Sequence, residues 1–302
     1  MRKIIVRTTL LLAVTTVLLV VQLAATVANA QAPPPYGNHQ SPIDIIDTPR
    51  HPVPTDPDAP GFGDTSQLQS EVEFTLKNTT GSPWCSPSPC TPQFYSTTFE
   101  QRWGSLKAFP PTSPPSSPVQ ILFGNQWYTL LEFHFHAPAE HLVNGKLTEM
   151  EVHVVFAKNG GSVCSSGGLL VIGQRIKMGR KNQELDKIFG PDVPLPTSYG
   201  AFPTVEITIG NVLSGLKDSY RYAGSLTSPA NLGCSNPPGS PVDQLASGFI
   251  PENVSWVVLA QTIQMSEQQI ARYQALFPNG DARGPQALKG RSVTKTKTVR
   301  DD

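Results

Sequence analysis

The sequence predicts a mostly β fold with a few short surface helices. Three observations carry that reading: thirty prolines gathered largely in clusters, short runs rich in Val, Ile, Leu and Phe between them, and one well-delimited helical pattern. Proline removes a ladder donor and fixes its own φ. The clusters at Pro33–Pro35, Pro49–Pro60, Pro83–Pro92, Pro110–Pro118 and Pro229–Pro241 therefore read as loops between strands. Candidate strands, in chain order, are Glu71–Lys77, Val119–Leu122, Leu131–His136, Met150–Ala157, Leu169–Gln174 and Val254–Thr262. The helix starts at Ser266, where Gln269 completes a capping box. Ile270, Tyr273, Leu276 and Phe277 mark one apolar face suited to cover a sheet, and Pro278 ends the helix. No internal repeat, charge block or linker suggests a second domain.

A chain of 302 residues with a 38% hydrophobic share can bury a sizeable core. Lys+Arg and Asp+Glu balance at 23 each, so charge gives no reason to expect nucleic acid or an acidic surface as partner. The first thirty residues read as a secretory signal peptide. Arg2, Lys3 and Arg7 supply the positive start, Thr8 to Ala28 carries no charge, and Ala28-Asn29-Ala30 is a small-residue cleavage site. A retained signal anchor is the competing reading, because an uncharged run of this length nearly spans a bilayer. The threonines, Gln22 and the cleavage site favour removal, leaving residues 31–302 as a secreted domain with no stable membrane anchor. Cys85 and Cys90 share a short proline-rich loop, while Cys164 and Cys234 lie far apart; export favours disulfides over a cysteine zinc site, and three pairings are open. Asn78-Thr79-Thr80 and Asn253-Val254-Ser255 are N-glycan acceptor patterns, usable if those asparagines are exposed.

Four of the six histidines, His134, His136, His141 and His153, fall between Leu130 and Phe156. Strand alternation places Glu132, His134 and His136 on one face, with Phe133 and Phe135 on the other. In the next candidate strand Glu151, His153 and Val155 share a face, opposed by Val152 and Val154. Between them lies the turn-forming pair Asn144-Gly145. If the strands are neighbours, three imidazoles converge with a carboxylate near each group. Three neutral imidazoles suit Zn²⁺ and leave a fourth tetrahedral position open for water, the mark of a catalytic rather than structural site. Glu132 and Glu151 are placed to accept ring N–H bonds. His141 is out of phase and suits a buried structural role; His39 and His51 are isolated and read as surface residues. The pattern also permits hydrogen-bonded packing histidines. His134-x-His136-x-x-x-Glu140 has the spacing of a cupin metal motif as well, but Tyr128 stands where cupins place a glycine and His153 follows no Pro-x-Gly turn.

Spread along the chain, further segments carry a family resemblance. Gln40-Ser41-Pro42-Ile43-Asp44-Ile45, Glu132-Phe133-His134-Phe135-His136, Glu140-His141, Glu151-Val152-His153, Gly168–Gly173, Tyr222–Thr227, Val254–Leu259 and Arg283–Arg291 resemble, in order, the motifs of α-type carbonic anhydrases. The resemblance covers about residues 40–293. It implies a single domain on a large twisted, mainly antiparallel central sheet, and reversible hydration of carbon dioxide to bicarbonate and a proton by a zinc-bound hydroxide. It implies His134, His136 and His153 as zinc ligands. Thr227 would accept the nucleophile's hydrogen bond and pass its own proton to an ionised Glu140. Val155, Val171, Leu226, Val254 and Trp256 match the apolar carbon dioxide pocket. Glu151 matches the carboxylate supporting the third ligand, and His141, Tyr222 and Ser41 match a buried hydrogen-bonded group. Glu132 stands where the family usually has glutamine, and Thr80 where fast members carry a proton-shuttling histidine. Cys234 resembles a family cysteine whose usual partner is missing here, which suggests Cys164–Cys234 beside Cys85–Cys90. The segment Asn231–Asn253 is longer than usual and is expected at the pocket mouth.

Overall fold

The structure, a computed structural model, describes residues 39–79, 104–111, 119–197, 203–228, 250 and 252–296. The leader segment, Thr80, Cys85, Cys90, Cys234 and nearly all of 231–253 lie outside the described residues. Fourteen strands are described: β1 (Asp44–Ile45), β2 (Thr55–Asp56), β3 (Glu71–Asn78), β4 (Leu106–Phe109), β5 (Gln120–Phe123), β6 (Gln126–His136), β7 (Leu142–Val143), β8 (Met150–Lys158), β9 (Leu169–Met178), β10 (Thr204–Thr208), β11 (Ser219–Gly224), β12 (Val254–Leu259), β13 (Ile263–Met265) and β14 (Thr294–Thr296). Twelve form one sheet, ordered β10-β3-β4-β6-β8-β9-β12-β11-β14-β2, with β5 beside β6 and β13 beside β9. Its centre, β4-β6-β8-β9, is antiparallel. The β9-β12, β9-β13 and β14-β2 pairs are parallel, so the sheet is mixed. β1 and β7 form a separate parallel pair.

The alternation read from the sequence sorts two cores onto opposite faces of this sheet. On one face Phe133, Phe135, Val152, Val154, Leu170, Ile172 and Val257 join the larger cluster. On the other, Val155, Leu169, Val171, Tyr222, Val254 and Trp256 pack together. One residue decides which face the histidines take. The β6–β8 register shifts between Leu130 and Glu132, leaving Leu131 unpaired and 39% exposed. Leu130 belongs to the larger cluster, and without the shift Glu132, His134 and His136 would point the same way. The bulge turns all three onto the second face.

The helix near the C-terminus forms as its sequence dictates. Among the described residues α1 (Asp186–Phe189) and α2 (Ile209–Val212) are single turns, whereas α3 (Glu267–Leu276) is capped by Ser266 and Gln269 in a reciprocal capping box. Ile270, Tyr273 and Phe277 from its apolar face join the larger cluster.

Several expectations need correction. The strand expected over Val254–Thr262 stops at Leu259, because Ala260 turns its N–H to Asp218 and Gln174 binds the Gln261 carbonyl; the chain then re-enters the sheet as β13. The Pro49–Pro60 loop contains β2, which sits at the sheet edge where proline is tolerated. Neither glycan acceptor is exposed. Asn78 and Asn253 are 1% and 2% exposed, and their Nδ2 groups donate to the carbonyls of Pro196 and Val163. A buried, engaged amide presents no acceptor nitrogen, so the folded domain offers neither site. Cys164 is not a free thiol.

Candidate active site

The register of β6 against β8 sets His134 directly opposite His153 and His136 opposite Glu151. The three rings lie 4.9–5.2 Å apart, centroid to centroid. One ligand nitrogen from each falls within 4.8 Å of the others. All three histidines are buried. Each also has its other nitrogen engaged. His134 Nδ1 lies 2.9 Å from both Glu132 oxygens, His136 Nδ1 donates to the Asp281 carbonyl at 3.3 Å, and His153 Nε2 donates to Glu151 Oε1 at 3.1 Å. That leaves Nε2, Nε2 and Nδ1 respectively for a ligand.

His136 Nε2 is buried with no hydrogen-bond partner. An unpaired buried polar atom costs about 1–3 kcal/mol, so such an atom facing two further imidazoles calls for an occupant. Burial lowers the His134 pKa to about 4 and His136 well below its usual value, keeping both neutral with a lone pair available. Burial alone would lower His153 too, but Glu151, Glu140 and Glu132 move it up. Three neighbouring carboxylates thus bias the pocket towards a cation. Nitrogen donors, their number and this charge fit Zn²⁺. A second constellation, His141, Glu151 and His153, is also close enough for a metal. Its atoms satisfy one another instead: Glu151 Oε1 accepts from His141 Nδ1 at 2.7 Å and from His153. Glu151 Oε2 accepts the N–H groups of Glu140 and His141 at 3.0 and 2.8 Å. His141 Nε2 lies 2.6 Å from the Tyr222 hydroxyl, which reaches Ser41 Oγ at 3.0 Å. His141 is therefore bound into a buried chain rather than aimed at the pocket.

Glu140 stands beside two of the histidines. Its Oε1 accepts the Arg283 N–H at 2.8 Å, while Oε2 stands 3.6 Å from His136 Nε2 and 3.8 Å from His153 Nδ1. Burial pushes its pKa up to about 7, against His153, the Arg283 N–H and a Thr227 hydrogen bond, which lower it. A cation in the pocket would favour the ionised form further. Val155, Val171, Val254 and Trp256 are buried in one apolar cluster with Leu226 packed against it. Trp256 lies 4.9 Å from His153, ring to ring, and is held by its Nε1–H to the Ser225 carbonyl at 2.8 Å. His39 and His51 are exposed and belong to neither of the possible metal-ligand groups.

Three contributors were not legible as site residues. Lys107 on β4 pairs with His134 across the sheet and reaches Glu132 at 3.3 Å. Burial would raise the Glu132 pKa, yet His134 and Lys107 hold it at about 2. A fully ionised carboxylate behind His134 is thereby balanced by a cation. Asp281 and Arg283 supply the backbone groups that orient His136 and Glu140. Arg283 also donates to Gln40 and the Ser41 carbonyl, tying the Gln40–Ile45 segment beneath the site.

The model of the family described as eukaryotic-type carbonic anhydrase matches residues 28–235, more than half of the chain and inclusive of all three histidines, Glu140 and Thr227. The chain belongs to the carbonic anhydrase family. A carbonic anhydrase of Nostoc sp. is 33% identical over 176 residues, 57% of this chain and 56% of that protein. One of Pectobacterium carotovorum is 28% identical over 173 residues, 57% of this chain and 60% of that protein. The matched stretch thus spans under two thirds of those curated relatives. The α-carbonic anhydrase of Thermovibrio ammonificans, solved with sulfanilamide, superposes with a TM-score of 0.58 at 24% identity, over 85% of this chain and 87% of that one. A hyperthermostable carbonic anhydrase from a hydrothermal vent chimney gives 0.57 at 26% identity, over 86% and 89%. Family membership sets the cupin alternative aside.

A glycine makes room for the support of this candidate site. Gly173 faces His153 in the register, and a Cβ there would meet Glu151 Oε1 at 2.7 Å. Glu151 is held by four hydrogen bonds and cannot yield cheaply. Gly173→Ala should cost about 1–3 kcal/mol in denaturant unfolding, as overpacking does, and weaken zinc binding about tenfold through the displaced carboxylate. Unchanged stability and zinc affinity would show that Glu151 is not fixed as described.

Proposed function

We propose that this chain is a zinc-dependent carbonic anhydrase that interconverts carbon dioxide and bicarbonate plus a proton. One observation carries the reading: three buried imidazoles converge with their outer nitrogens engaged and one inward nitrogen unpartnered, beside Glu140, Thr227 and an apolar wall. His134, His136 and His153 would hold the zinc. When bound, the metal supplies a Lewis acid that brings the pKa of water into the neutral range, a property established for this family.

The chain's own groups do the positioning. Thr227 gives its proton to Glu140, so its oxygen is left only as an acceptor towards the pocket. The attacking oxygen must then point its hydrogen at Thr227 and a lone pair at the substrate. Val155, Val171, Leu226, Val254 and Trp256 exclude water and offer carbon dioxide an apolar surface, since it carries no charge to be solvated. Glu132, Glu151 and Asp281 fix ring orientation and tautomer. Stopped-flow hydration of carbon dioxide, measured before and after chelation and again after zinc addition, tests the reading. Activity that disappears and returns supports it; absence of chelator-sensitive hydration defeats it and favours a binding role for the fold.

The reading includes proton release as the slow step, because Thr80, which matches the shuttle position, cannot relay protons near neutral pH. Imidazole buffer is expected to raise the rate at saturating carbon dioxide, and an insensitive rate would rule out that limit. It also includes export, with cleavage after Ala30 leaving Gln31 as the first residue, and a Cys164–Cys234 disulfide. No helix among the described residues is long and apolar enough to cross a membrane.

A further inference from the structure

Strand alternation sends Tyr222 to the histidine face of β11 and Arg221 to the other. There Arg221 lines a cavity of about 720 Å³ together with Asp56, Phe62, Leu216, Lys217 and Thr296, among others. Arg221 is 7% exposed, and its Nη1 is buried with no hydrogen-bond partner. Its Nε lies 3.4 Å from Ser219 Oγ, and its guanidinium rests over Phe123 at 4.8 Å and Phe62 at 5.8 Å. Burial brings its pKa down to about 10, with the Asp56 charge opposing, so it stays cationic at neutral pH. The floor is fixed, because Gly63 N–H, Leu122 N–H and Gly124 N–H tie residues 61–64 to β5.

A buried guanidinium nitrogen without an acceptor is costly, and none of the catalytic groups described above lines this cavity. Its planar fork fits a carboxylate. Phe62, Leu216, Ala59 and Pro57 offer apolar walls, and exposed Lys217 adds a second cation. Asp56, whose Oδ1 accepts the Asp58 N–H, penalises a dianion and so disfavours phosphate. We propose that this cavity, on the sheet face opposite the histidines, binds a small organic monocarboxylate with an apolar body, its carboxylate paired to Arg221.

Equilibrium dialysis of the intact protein against phenylacetate and its uncharged counterpart phenylacetamide tests this. The expected result is saturable phenylacetate binding that phenylacetamide does not match, weakened about tenfold or more by Arg221→Met. Because Arg221 is buried, Gly61→Phe gives an independent arm. Gly61 lines the cavity and a Cβ there meets nothing within 4 Å, so a side chain can start from it into open space without a clash at its base. It should abolish the same binding while carbon dioxide hydration is kept. Equal binding of the two probes, no saturable phenylacetate binding, or wild-type affinity in Gly61→Phe would overturn the proposal.

Discussion

Replacing His136 by alanine should reduce zinc from about one per chain to near none and lower hydration by at least about 10³-fold. The site needs three nitrogens, and His136 supplies the one that is buried with nothing else to bind. Two imidazoles do not hold zinc tightly enough to survive purification, and no nearby group replaces the third. Glu140 Oε2 is 3.6 Å from His136 Nε2, but Glu140 is tied through its other oxygen to Arg283. The fold should persist, because His136 lies at the end of β6 and the larger core lies on the far face of the sheet. A modest loss is expected from the Asp281 carbonyl left without its donor, about 1–3 kcal/mol. His39→Ala is the matched control, since that residue is exposed and belongs to neither possible metal-ligand group. Metal analysis and stopped-flow rates on both variants decide the point. Zinc retained at wild-type stoichiometry in His136→Ala would remove His136 from the ligand set.

The reach of sequence reading follows from which interactions are local. Alternation within β6 and β8 is a period-two property of the backbone, so the faces of His134, His136 and His153 were legible before any contact was known. The capping box at Ser266 is equally local. The bulge at Leu131 was not, because it shows only against a partner strand, and the expected strand simply began there. Strand β4 carries one charged and three apolar residues between proline-rich stretches, too short to stand out. Its Lys107 could therefore not be seen behind Glu132, and Glu132 read as a departure without compensation. Strand β11 was hidden for a related reason: Arg221 interrupts its apolar pattern, and only the cavity beneath explains an arginine there. Asp281 and Arg283 reach His136 and Glu140 through backbone groups, which leave no signature in residue type. The glycan patterns failed in the opposite direction. A tripeptide motif registers sequence and is silent on burial, and Asn78 and Asn253 both ended inside.

Glu140→Gln should leave zinc content and fold in place while lowering kcat about 10²-fold with little change in KM. The substitution is nearly isosteric, and the glutamine carbonyl can still accept the Arg283 N–H. Under the proposed mechanism, what it removes is the acceptor for Thr227. An amide NH₂ turned towards that hydroxyl donates, so the Thr227 oxygen must accept from it and its proton swings towards the pocket. The attacking oxygen then meets a donor where it had met an acceptor, and its lone pair is drawn away from the substrate. This fault concerns orientation, so substrate affinity changes little while turnover falls. Burial already raises the Glu140 pKa to about 7, which shows how poorly the site solvates this charge and how much rests on its partners His153, Arg283 and Thr227. Thr227→Val makes the complementary test, because it deletes the hydroxyl that both arguments share. If Glu140 orients the nucleophile only through Thr227, the double variant should be no slower than the worse single variant. Additive losses would instead mean that Glu140 and Thr227 act separately, and a wild-type rate in Glu140→Gln would mean that its carboxylate is structural.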